Sequence, residues 1–183
     1  MTLFGCDFSG IIYKIDSSFS DALEHATVYQ ALETKYFNEI LEHASEDKSP
    51  FRFFVDIGAG KGEACILASK SQKFEKIIGV EISEPLIKIA TKNMEVSQCD
   101  NVTFIHEDAR SFEIPNGKTL FFMYNPFDSV ILEKFIAINR TKIKQTNSVI
   151  SYLNDEHRWV LERAGFIFFI SRSTSYRSKF PEE

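Results

Sequence analysis

The feature that most restricts the fold of this chain is a group of three glycines directly after a short apolar run. Residues 51–57 read Phe-Arg-Phe-Phe-Val-Asp-Ile, and Gly58, Gly60 and Gly62 follow at alternate positions. A stretch with the apolar spacing of a helix begins at about Glu63. Glycines allow a sharp turn between a buried strand and a helix, and this order of elements opens a βαβ unit. The pattern therefore predicts a parallel sheet.

The rest of the chain continues this alternation of strands and helices. Besides the first strand, strands are predicted at residues 76–82, 102–106, 120–124, 148–153 and 166–171, and helices at about residues 21–43, 63–71, 84–97, 129–144 and 155–164. Ser173–Phe180 is predicted to pair as an antiparallel edge strand. The expected fold is α/β: a doubly wound, mostly parallel seven-stranded sheet, its last strand antiparallel, with helices on both faces. Its ligand crevice would lie at the carboxyl ends of the strands.

The composition is that of an ordinary globular domain, with 44% hydrophobic and 26% charged residues in 183. These values exclude a disordered, collagen-like or coiled-coil chain. No apolar run approaches the ~20 residues that cross a bilayer, and the first ten residues lack a signal-peptide pattern. Cys6, Cys65 and Cys99 are too widely spaced for a disulfide framework or a structural zinc site. We expect one cytoplasmic domain over residues 1–183, without a metal, with residues 1–20 as a short N-terminal leader.

Charge is unevenly distributed along the sequence. Residues 1–133 contain 12 basic and 21 acidic side chains, whereas residues 134–183 contain 9 and 5. Proteins that bind phosphates usually present a basic face, so the acidic body favours a partner other than nucleic acid. The basic C-terminal part keeps a nucleic-acid partner as an open alternative.

Three classes of ligand use a glycine turn of this kind. A phosphate P-loop requires Gly-Lys followed by Ser or Thr, but Gly62 follows Lys61 here, and Val55 occupies the position of the first P-loop glycine. A dinucleotide turn requires GxGxxG, and the carboxylate of Asp56 would repel a pyrophosphate. S-adenosylmethionine has no phosphate and carries an ammonium and a sulfonium, which Asp56 attracts. The charge pattern favours S-adenosylmethionine, and the side chain of Lys61 is predicted to be solvated.

Further acidic side chains follow the next two predicted strands. Glu81 ends the second strand, where a carboxylate can accept hydrogen bonds from both hydroxyls of a ribose. The third strand ends in His106-Glu107-Asp108-Ala109, where a carboxylate can accept from the exocyclic amine of adenine. Parallel strands bring their carboxyl ends to one edge of a sheet, so the acids are expected to line one crevice.

The ordered set of motifs resembles the class I (Rossmann-like) S-adenosylmethionine-dependent methyltransferases, from about Ala26 to Gly165. The four motifs, in chain order, are Asp56–Gly62, Gly79–Ser83, Glu107–Ala109 and Tyr124–Phe127. A segment at residues 25–29 is similar to a stretch that closes over the cofactor in some members. The resemblance assigns to S-adenosylmethionine, and to its product S-adenosylhomocysteine, the residues Thr27, Tyr29, Asp56, Ile57, Gly58, Ala59, Gly60, Gly62, Glu81, Ile82, Asp108, Ala109 and Asn125.

The roles that the resemblance implies follow the parts of the cofactor. Asp56 and the Gly58–Gly60 backbone would hold the methionine part, and Glu81 the ribose. Ile82 would cover the face of the adenine, and Asp108 with Ala109 would contact its edge.

The fourth motif concerns the methyl acceptor. In amino-directed family members, Asn or Asp followed by Pro-Pro-Tyr/Phe orients an amine, and this chain has Asn125-Pro126-Phe127, one proline short. The sequence thus resembles a subset with an Asn-Pro-Phe motif, and departs from the motif of enzymes that act on adenine or glutamine. The resemblance implies that Asn125, Pro126 and Phe127 are catalytic. The expected acceptor bears an amine, on a protein lysine or a small molecule.

Two other functions remain open on the sequence. Methylation of a nucleic-acid base would require basic residues to gather at the rim of the crevice; these are Arg140, Lys142, Lys144, Arg158, Arg163, Arg172, Arg177 and Lys179. A catalytically inactive scaffold would bind S-adenosylmethionine and show no turnover with any acceptor.

Overall fold

A computed structural model describes residues 5–9, 32, 34–45, 49–170 and 175–181. In this part of the chain the helices are α1 (Thr34–Ser45), α2 (Glu63–Lys70), α3 (Glu84–Ser97), α4 (Ser129–Gln145) and α5 (Arg158–Arg163). The strands are β1 (Phe53–Ile57), β2 (Lys76–Glu81), β3 (Val102–His106), β4 (Thr119–Tyr124), β5 (Val149–Leu153), β6 (Ile167–Ile170) and β7 (Ser175–Lys179). The predicted strands are all present, and their ends differ from the predicted ones by at most two residues. Of the helix predicted over residues 21–43, the part before Leu32 lies outside the described residues.

The seven strands form one sheet in the order β3-β2-β1-β4-β5-β7-β6. Strands β1 to β5 pair in parallel, and β7 is antiparallel to both β5 and β6. The α/β fold and the antiparallel last strand are therefore confirmed. The predicted edge position of the last strand is wrong, because β7 is inserted between β5 and β6, and β6 forms the edge.

Apolar side chains of the central strands form a core on each face of the sheet. On one face Phe54 and Phe122 of neighbouring strands pack against Phe37 of α1, with Phe37 meeting each ring edge-on at 5.7 and 5.5 Å between centroids. On the other face Phe121 packs edge-on against Phe135 of α4 at 6.1 Å. Helices thus cover both faces, as a parallel sheet of apolar strands requires.

The register of the sheet aligns the strand ends that carry the motifs. Ile57 at the end of β1 is paired with Val80 of β2 on one side and with Met123 of β4 on the other. Val80 is in turn paired with Ile105 of β3. The residues that follow these positions therefore emerge together at the carboxyl edge of the sheet, which is the usual place for a ligand crevice.

Candidate functional site

Backbone N–H groups of the glycine turn donate hydrogen bonds to acceptors within the protein. The N–H groups of Gly58 and Ala59 both donate to the carbonyl oxygen of Val80, at 2.8 and 2.9 Å. The N–H of Gly60 donates to Oε2 of Glu81 at 2.9 Å. A phosphate cradle needs such donors to point at the ligand. These three N–H groups are therefore not available to a phosphate, which fits S-adenosylmethionine, a ligand without phosphate.

Two glycines of the turn are required by packing as well as by backbone conformation. A Cβ atom added at Gly58 would lie 2.3 Å from Cβ of Pro126, and one at Gly62 would lie 2.5 Å from Cζ of Phe104. Both residues have a φ near +80°. Gly58 thus joins the first motif to the fourth. Gly62 makes room for Phe104, a packing role that the sequence analysis missed.

Asp56 lies at the end of β1 with only 3% of its surface exposed. The thiol of Cys65 donates to its Oδ2 at 3.8 Å. Burial, together with the nearby Glu81 carboxylate, raises the pKa of Asp56 to about 8, and the Cys65 contact opposes this only in part. A cation beside Asp56 would offset the penalty of burying its charge. The ammonium of S-adenosylmethionine is a cation of this kind.

This raised pKa predicts a pH-dependent stability. The pKa of Asp56 is higher in the folded than in the unfolded protein. Its stabilising contribution to the free energy of unfolding is therefore complete below the unfolded-state pKa near 4, and it is lost as pH rises through the folded-state pKa of about 8. Between pH 5 and pH 9 the urea midpoint of the ligand-free protein should fall further for the wild type than for Asp56→Asn, whose amide does not titrate. An equal fall in both proteins would show that Asp56 ionises normally.

Glu81 stands at the end of β2 with 8% of its surface exposed. Its Oε2 accepts from Gly60, and its Oε1 accepts from the N–H of Ser83 at 2.9 Å. Burial raises the pKa of Glu81, while the backbone hydrogen bonds from Ser83 and Gly60 lower it. These N–H groups, with a third from Ile82, fix the carboxylate, and its four lone-pair sites still leave capacity for a ligand hydroxyl.

Hydrogen bonds to nearby residues hold the side chains at the end of β3 in place. Oδ1 of Asp108 accepts from the N–H of Arg110 at 2.8 Å, and Oδ2 accepts from Nε of the same arginine at 2.7 Å. Nε2 of His106 lies 2.9 Å from the carbonyl oxygen of Ile82, which can only accept, so Nε2 carries the proton. Ala109 is buried. An adenine amine would share Asp108 with Arg110.

Asn125 ends β4 in a left-handed conformation, with φ at +39°, which asparagine tolerates better than most residues. It is buried, and its Oδ1 accepts a hydrogen bond from the hydroxyl of Tyr152 at 3.3 Å. Pro126 rests on Gly58. Phe127 is 94% buried and packs in the core on the face covered by α4. The fourth motif therefore lies directly against the glycine turn.

Lys61 differs from its prediction. Its side chain is buried, with 3% of the residue exposed, and its ammonium donates to the carbonyl oxygen of Ser9 and to Oδ1 of Asp7, the latter at 3.4 Å. The side chain of Asn93 on α3 donates to the carbonyl oxygens of Asp7 and Lys61, at 3.0 and 3.1 Å. The solvated lysine predicted from sequence is wrong, because the segment Gly5–Ser9 covers the turn and supplies the partners.

The remaining candidates are placed as follows. Thr27 and Tyr29 lie outside the described residues. The three cysteines are buried thiols. In the described ranges no group of three or more His, Cys, Asp or Glu is arranged to hold a metal ion. None of the helices in those ranges is long and apolar enough to span a membrane.

Comparison with known proteins identifies the family. Residues 53–172 match the family model Methyltransferase domain, a range that contains β1 to β6 and the strand ends that carry the four motifs. The chain belongs to this family. It is a class I S-adenosylmethionine-dependent methyltransferase domain. The cofactor assigned from the glycine turn is confirmed.

The methyltransferase domain has relatives among curated proteins and solved structures. It is 29% identical over 139 residues to the tRNA (uracil(54)-C(5))-methyltransferase of Saccharomyces cerevisiae, a match that spans 72% of this chain and 21% of that protein. It is 31% identical over 61 residues to the tRNA (guanine-N(7)-)-methyltransferase of Wolinella succinogenes, which spans 33% and 16%. The matched parts of these curated relatives are thus about a fifth of their length or less.

Among solved structures, the domain resembles an RNA methyltransferase from Salinibacter ruber in complex with S-adenosylhomocysteine. The TM-score is 0.60 at 24% identity, covering 83% of this chain and 94% of that one. An S-adenosylmethionine-dependent methyltransferase from Aquifex aeolicus gives 0.57 at 13% identity, covering 78% and 87%. These likenesses show that the fold is shared.

Proposed function

We propose that this domain transfers a methyl group from S-adenosylmethionine to an amine nitrogen held at Asn125, on a protein lysine or a small amine. The observation that carries the proposal is the close contact between Gly58 and Pro126. A Cβ atom added at Gly58 would lie 2.3 Å from Cβ of Pro126. This contact holds Asn125 beside the turn that is assigned to the methionine part of the cofactor. A nitrogen bound at Asn125 would therefore lie near the methyl group.

In this proposal, the residues of the chain bind the cofactor and the amine acceptor and orient them for the reaction. The bound cofactor would supply a methyl group to the lone pair of a neutral amine: the C–S bond breaks as the N–C bond forms, S-adenosylhomocysteine leaves, and the product ammonium loses its proton to water. Asn125 can accept an N–H of the amine through its side-chain oxygen and so direct the lone pair at that methyl group. Holding two reactants in line in this way can recover up to ~7–11 kcal/mol of the barrier.

The distribution of charge supports an amine acceptor. The ends of β1 to β5 and the connections that follow them, residues 56–63, 81–84, 106–110, 124–129 and 153–158, contain nine Asp and Glu and three Lys and Arg. Without Asp56, whose raised pKa keeps it largely protonated near pH 7, the ratio is still eight to three. Each of these three cations has an acidic partner: Lys61 contacts Asp7, Arg110 contacts Asp108, and Arg158 contacts Glu162. An acidic edge attracts a protonated amine during its approach and repels a phosphate backbone.

A nucleic-acid base is the second candidate, because both curated relatives are named as tRNA methyltransferases. Four of the basic residues that this function would use lie away from the site. Arg140, Lys142 and Lys144 lie in the last turns of α4, which lead to the start of β5, and Lys179 is paired with the first residue of β6. These four residues therefore lie toward the amino edge of the sheet, opposite the site.

Replacement of Asn125 tests its proposed role. We expect Asn125→Ala to lower turnover by roughly 10²-fold, the loss that a misplaced reactant causes, while the Kd for S-adenosylmethionine changes little. The matched control is Asn154→Ala, at the end of the neighbouring strand β5 and also at positive φ, +51°. Equal losses of turnover and cofactor affinity in Asn125→Ala would refute the role at the acceptor.

A transfer assay with S-adenosylmethionine tritiated on its methyl group tests the acceptor class. The acceptors are poly-L-lysine, free lysine and an unmodified tRNA transcript, each at low and at high salt. We expect label in the amine acceptors, and less label in poly-L-lysine at high salt because screening weakens its attraction to the acidic edge. Label in the transcript alone would overturn the amine proposal in favour of a base, and label in none would point to a scaffold.

A further inference from the structure

Tyr152 lies on β5, beside the end of β4 that carries Asn125. Its hydroxyl donates to Oδ1 of Asn125 at 3.3 Å. We propose that Tyr152 is a positioning residue, whose hydroxyl fixes the amide plane of Asn125 for the methyl acceptor. This inference rests on the proposed function of Asn125. Tyr152 acts through that residue and contacts neither acceptor nor cofactor in the proposal.

The direction of the hydrogen bond follows from the valence of the hydroxyl. A tyrosine hydroxyl has one proton to donate, and an amide oxygen can only accept. The proton must find an acceptor because only 1% of Tyr152 is exposed, and Oδ1 of Asn125 lies within reach. The Tyr152 proton thus decides which end of the amide is oxygen, and it holds that oxygen on the side of β5.

The sheet register holds this pair in place. Met123 is paired with Tyr152 and Tyr124 with Leu153, so Asn125 leaves β4 just beyond the ring. The ring itself is packed in the apolar core on the face covered by α4 and α5. Asn125 stands at φ +39°, where its backbone alone does not fix the amide. The bond to a rigid strand supplies that restraint.

The hydroxyl remains a donor over the working range of pH. Burial raises the pKa of Tyr152, and the carboxylates of Asp155 and Glu156 raise it further, while the His157 hydrogen bond opposes them. Its role is therefore to hold Asn125, since a neutral tyrosine cannot accept the proton that an ammonium acceptor must lose.

The test compares Tyr152→Phe with Asn125→Ala and with the double variant. Tyr152→Phe deletes only the hydroxyl and keeps the ring in the core. The matched control is Ser151→Ala, which deletes a buried hydroxyl from the adjacent residue of the same strand; that hydroxyl has no hydrogen-bond partner in the described structure. Turnover is measured by transfer of tritiated methyl groups to poly-L-lysine, and cofactor affinity by calorimetry.

We expect Tyr152→Phe to lower turnover about 10-fold with the Kd for S-adenosylmethionine unchanged, the effect of one lost hydrogen bond. The double variant should be no slower than Asn125→Ala alone, because Tyr152 acts through Asn125. Full turnover in Tyr152→Phe, or a further 10-fold loss in the double variant, overturns the positioning role while the function of Asn125 stands. Full turnover in Asn125→Ala overturns the proposed function, and the positioning role with it.

A spectroscopic measurement decides whether the hydrogen bond exists, without any acceptor. The side-chain NH₂ signal of Asn125 is assigned by its loss in the spectrum of Asn125→Ala. We expect this signal to shift in Tyr152→Phe and to stay in place in Ser151→Ala. An unshifted signal in Tyr152→Phe overturns the inference even if poly-L-lysine is methylated. A shifted signal without methylation of poly-L-lysine supports the bond and counts against the amine function.

Discussion

Gly58→Ala is expected to destabilise the protein by about 2–5 kcal/mol and to abolish measurable cofactor binding. A left-handed conformation costs a residue with a Cβ about 1–2 kcal/mol, and overpacking of a filled site costs about 1–3 kcal/mol more. Gly58 has a φ of +82°, and its new Cβ would lie 2.3 Å from that of Pro126. Relief of the clash would separate the first motif from the fourth, so stability and binding should fall together.

The matched control is Gly165→Ala, which separates the two causes. Gly165 has a φ of +90°, but an added Cβ would meet its nearest neighbour, an Arg140 nitrogen, at 3.6 Å. This variant should show the conformational cost without the clash. For a chain of this size, ~1 kcal/mol lowers Tm by about 2–4 °C. Thermal unfolding that ranks the two variants equally would exclude the contact with Pro126 as a cause.

Glu81→Ala is expected to raise the Kd for S-adenosylmethionine at least ~100-fold, because each charge-assisted hydrogen bond contributes roughly 1.5–3 kcal/mol. The substitution removes the carboxylate proposed to hold the ribose. It also frees the N–H groups of Gly60 and Ser83, which donate to that carboxylate. The turn would then lose part of its preorganised shape. Calorimetry of the folded variant measures the affinity.

Glu84→Ala serves as the control for Glu81→Ala. Glu84 lies three residues further on, its side chain is 49% exposed, and it pairs with Lys88 one helical turn away. Its loss removes the same charge from the same edge without touching the turn, so the Kd should stay within about threefold, as expected for an exposed ion pair. If both variants bind equally well, Glu81 does not hold the ribose.

The fold could be predicted to a large extent because its signals are local. The run at residues 53–57, the glycines behind it and proline after Asn125 each determine a strand or its end through neighbouring residues alone. The grouping of Asp56, Glu81 and Asn125 at one edge follows from parallel pairing, which the alternation of strands and helices implies. These parts of the site required only element order.

The features that were missed depend on contacts between residues distant in sequence. The position of β7 depends on the strands with which it pairs, β5 and β6, and the alternation of apolar and polar residues does not specify those partners. The packing of Gly62 against Phe104 involves a side chain on the second strand away from β1. The bond between Tyr152 and Asn125 depends on a register that no local pattern reveals.

The buried ammonium of Lys61 gives the segment Gly5–Ser9 a structural importance that its length does not suggest. Asp7 and Ser9 supply acceptors for that ammonium, and Asn93 is bonded to Asp7 through both its amide oxygen and its amide nitrogen. Deletion of the first ten residues would remove these acceptors and uncover a cation beside the glycine turn. We therefore expect a fragment that begins upstream of Asp7, well before the first residue of the sheet, to be more stable than one that begins at the sheet.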